Sequence, residues 1–177
     1  MNEQQMRVPP PDRSSLDDEM NELLSLATTP SGKTAETIAV LAHSPGLVEP
    51  FLKWAMALHT EGLLSPRLHE IVALRAAHNC GSSYEWDEHV GWAKAAELTD
   101  EEIEAVARGS SGWSNVEAAL IEAVDELHAT QDIGDTTMAI LRDNLGEPSV
   151  VEIIVVAGQY TMLSMLATAT GSTERRR

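Results

Sequence analysis

Apolar residues recur along most of the chain at intervals of three and four, the spacing of helices with one buried face. The first stripe is Leu16, Met20, Leu23, Leu24 and Leu26, behind a Ser15-Leu-Asp-Asp18 start that resembles a capping box with Asp in place of Glu. Thr29-Pro30-Ser31-Gly32 ends it. Further helices are predicted over about 34–42 and 47–59, the latter stopped by Glu61-Gly62. Ser65-Pro66 opens the next, with a hydroxyl cap and proline in the first turn. Leu68, Ile71, Val72 and Leu74, with Ala73, Ala76 and Ala77, make that helix apolar over most of its circumference, so it is predicted to run through the core to about residue 78. Helices are also predicted over 83–97, from the Thr99 cap, from a Ser114 capping box to 129, from Gly134-Asp135 to 145, and over 149–170. No stretch alternates convincingly as a strand, so the expected fold is all-α, in a single domain over 15–171. Pro9, Pro10 and Pro11 predict a flexible arm over 1–14, and 172–177 form a tail.

Charge narrows the classes of partner. Asp and Glu number 28 against 12 Lys and Arg, a formal charge of −16, which repels phosphate backbones and argues against nucleic-acid binding. The apolar run over 150–169 is long enough to span a bilayer, but Glu152, Gln159 and Ser164 interrupt it and no basic flank precedes it. It reads as a central core helix, with no membrane partner. The N-terminus lacks an apolar signal core and Cys80 is the single cysteine, so a reducing, cytoplasmic setting is expected.

Candidate chemistry concentrates between residues 69 and 89. Polar side chains on the core helix require a reason, and Glu70 is the clearest, with His69, Arg75 and His78 nearby. Glu85 and His89 are four apart and share a face of the following helix, with Ser82 one turn earlier. Two carboxyl groups and an imidazole, partly desolvated, are the groups that proton transfer to or from carbon requires. Structural explanations compete: Ser82-x-x-Glu85 fits a capping box, Glu85 and His89 could pair at the surface, and Glu70 could pair with Arg75 or His78. Glu85-x-x-x-His89 and Asp125-x-x-His128 depart from the Glu-x-x-His spacing of di-iron bundles, so no metal is expected. Cys80 has no second cysteine to resolve a sulfenate, and Gly109-Ser-Ser-Gly112 carries no phosphate-loop pattern. Tyr84, Trp86 and Trp92 add aromatic mass beside His89, while Gln159 and Tyr160 are polar groups in the last apolar helix. All five could wall a cavity or simply fill core.

Several stretches together resemble the carboxymuconolactone decarboxylase family. They are Pro66-Arg-Leu-His-Glu70-Ile-Val-Ala-Leu-Arg75, Tyr84-Glu85-Trp86-x-x-His89, Ala95-x-x-Leu98-Thr99-x-Glu101-x-Ile103, Glu122-Ala-Val-Asp125-Glu-Leu and Val156-Ala-Gly-Gln-Tyr160. The resemblance spans about residues 45–170. It implies a compact helical bundle of the alkyl hydroperoxidase D-like type, a homo-oligomer (trimer or hexamer) and a small-molecule substrate. Redox members of that superfamily carry Glu, then Cys-x-x-Cys-x-x-x-His. Laid on that pattern, Glu70 and His89 take the Glu and His positions, while Ser82 and Glu85 stand where the two cysteines would be, and Cys80 lies two residues too early. The likeness is therefore to the decarboxylase-like branch, which works without metal or organic cofactor. It implies His89 as proton donor or shuttle, Glu85 orienting it or sharing the proton, and Glu70 tuning the pair. Ser82, Tyr84, Trp86, Arg75 and Tyr160 are the implied substrate-binding residues, Arg75 as a counter-charge for a substrate carboxylate. The expected activity is decarboxylation or proton transfer on a carboxylated lactone or related carbonyl compound. The alternatives are a hydroperoxidase-like antioxidant protein and a non-catalytic ligand-binding oligomer.

Overall fold

The computed structural model describes residues 6–29 and 32–172. Among them are nine α-helices and no strand: α1 Asp18–Leu26, α2 Glu36–Leu41, α3 Pro45–Thr60, α4 Pro66–Asn79, α5 Ser83–Ala95, α6 Asp100–Arg108, α7 Asn115–Thr130, α8 Asp135–Leu145 and α9 Glu147–Thr170. The helices expected from periodicity are all present, and most differences lie at their ends. α1 starts after Ser15, because Ser15 belongs to a 3-10 turn, Arg13–Ser15, and the Asp17 carboxylate takes over as cap by accepting from Met20 N at 2.8 Å. α5 stops before Glu97, whose positive φ of 65° breaks the helix. α9 begins two residues early, since Pro148 in its first turn needs no amide partner.

α4 is the hub, packing against α5, α6, α7 and α9. Eight consecutive or near-consecutive side chains on it are buried, among them Ile71, Val72, Leu74 and, unusually, His69 and Glu70. Its cap is as the sequence implied: Ser65 accepts from Leu68 N, with Pro66 in the first turn. The turn to α5 is short. Gly81 takes a φ of 63°, the left-handed region that glycine enters at little cost, and Ser82 then caps α5. This geometry holds Glu70 on one helix opposite His89 on the next.

Residues 6–14, expected as a flexible arm, are tied to the domain at several points. Arg7 N and Val8 N donate to Thr170 O at 2.8 and 3.0 Å. His43 Nε2 bonds Pro9 O at 2.8 Å, and the Arg13 guanidinium donates to Asn21 and Thr34. Of the expected tail, Ser172 is described and buried, while Arg175–Arg177 and residues 1–5 lie outside the described residues. α9 is long and apolar enough to cross a membrane by length and composition, and half of an 18-residue apolar stretch of it is buried inside the domain.

Candidate functional site

At the centre of the site His89 Nδ1 donates to Glu70 Oε2 at 2.8 Å, joining α5 to α4. Both side chains are buried. Burial alone would depress the His89 imidazole, but the charge of Glu70 and its hydrogen bond, helped by Glu85 and Glu88, outweigh it and hold the ring above its ordinary range. The ring also meets the Tyr160 ring edge-on, centroids 4.3 Å apart. Nδ1 is committed to Glu70, so Nε2 is the nitrogen left for chemistry.

Glu85 sits one turn before His89 and is 3% exposed. Ser82 does cap the helix, accepting from Glu85 N, but the reciprocal half of the capping box is missing. Ser82 N bonds Ala77 O instead, and Glu85 Oε1 is buried without a partner. Burial pushes the Glu85 carboxyl up to about 7, partly offset by the charge of His89 and a hydrogen bond from Thr37. The capping and surface-pair explanations therefore do not account for this side chain.

His89 and Glu85 both line a pocket of about 350 Å³ between α1, α2, α3, α5 and α9. Its walls are mainly apolar, including Leu26, Ile38, Phe51, Leu52 and Leu163, with Trp92 and His59 also lining it. Tyr84 and Tyr160 line it as well. The Tyr84 hydroxyl accepts from Glu36 N at 2.6 Å, tying α2 to α5, and Tyr160 OH lies 2.9 Å from His69 Nε2. Burial pushes the Tyr160 hydroxyl well above its ordinary range, the charges of Glu70 and Glu85 adding to the effect.

Three expected substrate-binding residues do not line this pocket. Ser82 is occupied as a cap. Trp86 packs on the core and lies edge-on to His78, centroids 6.0 Å apart. Arg75 faces away: its guanidinium is bidentate to Asp125 at 2.6 and 2.8 Å and caps the end of α6 through Val106 O and Ala107 O. That placement corrects its expected role as counter-charge. It also explains the Glu122–Leu127 motif, where Asp125 additionally accepts from Asn79 at 2.8 Å.

Sequence reasoning missed His59 and Thr37 and left His69 without a role. The His59 and His69 rings lie against each other, tilted by 38°, with centroids 4.3 Å apart. Burial drives the His69 imidazole down to about 3, so it is neutral across the physiological range. A histidine next to Glu70 on an otherwise apolar helix was the available signal. Thr37 lies on the short α2, far from Glu70 in sequence, and His59 near the exposed end of α3; no local pattern marks either. His59, His69 and Glu70 also form a group of potential metal ligands with ligand atoms within 4.8 Å of one another. Glu70 is already bonded to His89 and His69 to Tyr160, so a metal would have to displace or share both bonds.

A carboxylate-polarised histidine beside a near-neutral carboxyl, in a helical bundle, defines a scaffold for acid–base chemistry. Residues 45–128 match the carboxymuconolactone decarboxylase family. The fold is shared with a protein of unknown function from Agrobacterium tumefaciens, proposed as an antioxidant defence protein AhpD. The identity is 21% and the TM-score 0.69, covering 77% of this chain and 96% of the other. It is also shared with the debrominase Bmp8, at 14% identity and a TM-score of 0.81, covering 96% and 92%. A cysteine-to-alanine variant of Bmp8 in complex with 2,3,4-tribromopyrrole gives 14% identity and a TM-score of 0.80, covering 99% and 95%. No curated protein matches the chain significantly in sequence.

The Glu70–His89 bond carries a direct expectation. Glu70→Gln removes the charge that raises the imidazole while keeping its shape, so the His89 titration midpoint should move to lower pH. An NMR titration of the His89 ring reads this. A midpoint that stays put would show that Glu70 does not set the proton affinity.

Proposed function

We propose that this protein is an enzyme that moves a proton at a carbon beside a carbonyl or within an activated ring, with His89 Nε2 as the group that delivers or removes it. The observation that carries this reading is the buried Glu70–His89 pair, with its ring on an apolar pocket beside a Glu85 carboxyl whose Oε1 has no partner. Glu70 orients the ring and balances the imidazolium. Glu85, near neutrality, is suited to take or return the second proton. In the protonation direction His89 gives its Nε2 proton to a carbanion or enolate carbon and is recharged through Glu85.

Decarboxylation of a carboxylated lactone ends in the same protonation, but the pocket suits it less well. Among the described residues lining it there is no Lys or Arg, so a substrate carboxylate would meet Glu85 and Glu88 with His89 as its sole strong counter-charge. A thiol peroxidase cycle is disfavoured further, since Cys80 caps the end of α4 and does not line the pocket. The test is incubation in D₂O with carboxymuconolactone and with neutral cyclic ketones and lactones, followed by NMR. Protein-dependent deuterium entry at carbon supports proton transfer, and loss of CO₂ from the carboxylated compound would favour the decarboxylase. Binding without either reaction would mean a ligand-binding module.

We further propose that the protein is cytoplasmic and works as a homo-oligomer, a trimer or hexamer. Val151, Ile154, Met162 and Met165 lie exposed along one side of α9, and a row of that kind favours burial against another copy. Light scattering should give a mass of three or six chains, reduced by Ile154→Glu with Met165→Glu. A monomeric wild-type protein would refute it.

A further inference from the structure

The fold brings together three side chains of the types that hold metal ions. His59, in the last turn of α3, meets His69 and Glu70, which are neighbours on α4. One ligand atom from each lies within 4.8 Å of the other two. Ligands about 2.1 Å from a shared ion stand at most about 4.2 Å apart, so the three have well under an ångström to close. His59 is exposed at the end of its helix and can make that movement. The spacings Glu85-x-x-x-His89 and Asp125-x-x-His128 do not point to this group, which forms only when α3 packs beside α4.

Both buried members can share the bonds they already make. Glu70 meets His89 through Oε2, and a carboxylate has a second oxygen and further lone pairs to offer. His69 meets Tyr160 through Nε2, while its Nδ1 is buried with no partner. Buried polar atoms are nearly always paired, so an idle nitrogen on a side chain 2% exposed calls for a cause. The ring contacts of His59 with His69 and Trp92 explain packing and leave that nitrogen unexplained. A bound ion explains it. A metal-bound histidine ordinarily has one nitrogen on the ion and the other on an outer partner, and a metal-bound carboxylate is itself hydrogen-bonded. Tyr160 and His89 stand in those outer places.

The donor set selects the ion. Two imidazoles and a carboxylate, without a thiolate, suit zinc, cobalt(II), nickel(II) or iron(II), whereas magnesium and calcium prefer oxygen alone. Three protein ligands leave a position open for water or a small molecule. His59 also lines the pocket, so an ion that it holds stands at the wall of the cavity that Glu85 and His89 line. A net charge of −16 draws cations to the chain. We infer that His59, His69 and Glu70 bind one divalent transition-metal ion at the wall of the pocket. This goes beyond the proton-transfer reading and does not rest on it, because binding is read with no substrate.

The test uses the full chain without a histidine tag, stripped with a chelator and titrated with Zn²⁺ by calorimetry at neutral pH. One ion per chain should bind. His59→Ala should weaken binding by more than about tenfold, the least that loss of even an outer partner costs. His43→Ala and His128→Ala, which lie outside the group, should leave it unchanged. In the wild type, Zn²⁺ should shift the NMR ring signals of His59 and His69 and leave those of His43 and His128 in place. No binding, equal binding by His59→Ala, or shifts confined to other histidines each overturns the inference. The wild-type ring signals decide it even if His59→Ala does not fold. Zinc binding at this group, with no substrate exchanging deuterium, leaves the inference standing and refutes the proton-transfer reading instead.

Discussion

Replacing His89 by asparagine is expected to lower turnover by roughly 10²–10⁴-fold, the usual worth of a positioned general acid or base. Asparagine is the informative choice. Its amide nitrogen falls near the place of Nδ1 and can still donate to Glu70 Oε2, so the buried carboxylate keeps a partner. The atom lost is the second ring nitrogen, and with it any titratable proton. Folding should therefore survive where chemistry does not. Alanine would confuse the two, because it strands the Glu70 carboxylate in the core. Rates should be compared under single-turnover conditions, with melting temperatures measured alongside. An asparagine variant that keeps the full rate would remove His89 from the mechanism.

The pH dependence gives this expectation a sign. The imidazole is held above its ordinary 6.5. A reaction using His89 as an acid should therefore persist to higher pH than an ordinary imidazole would allow, and decline above the raised value. On the acid side of that value the same group is in its protonated form, and an acid limb would have to come from another residue.

Part of this site was legible in the sequence because its key residues are local. Glu70, Glu85 and His89 fall within twenty residues on two helices joined by a short turn, so periodicity alone placed them together. The core character of α4 could be read from its uninterrupted Ala, Leu, Ile and Val, and that made Glu70 hard to dismiss. Arg75 was misread for an instructive reason. It lies five residues after Glu70, on a different face, and its partner Asp125 is fifty residues further on. No local pattern announces a long-range ion pair. The pocket itself was illegible for the same reason. Its walls come from α1, α2, α3 and α9 as well as α5, and they meet only when α9 packs against α2 and α5. No residue of α2 was singled out in the sequence. The structure instead gives it Thr37, which bonds Glu85, and Glu36, whose amide anchors Tyr84.

Glu85→Gln should stabilise the protein above neutrality while damaging its activity. In the folded chain burial holds the Glu85 carboxyl near 7, against an ordinary 4.5. Between those values the native state binds more protons than the unfolded state, so stability falls as pH rises. Above about pH 7 the penalty is complete, on the order of 3 kcal/mol. Glutamine retains an acceptor for the Thr37 bond and never ionises, so the penalty vanishes. For a chain of this size that corresponds to a melting temperature higher by about 6–12 °C at pH 8 and little changed at pH 4. His69 makes the full profile diagnostic. Its folded value of about 3 lies below its ordinary 6.5, so stability rises with pH between the two. In the wild type this rise and the Glu85 fall oppose each other from about 4.5 to 6.5, giving a plateau. In the variant the rise should continue to about 6.5, and His89, held above 6.5, then supplies the remaining decline. A melting difference that is the same at pH 4 and pH 8 would show that Glu85 does not carry a buried proton. The gain in stability and the loss of catalysis would have one cause: the fold bears the cost of a buried carboxyl, and the reaction uses its proton.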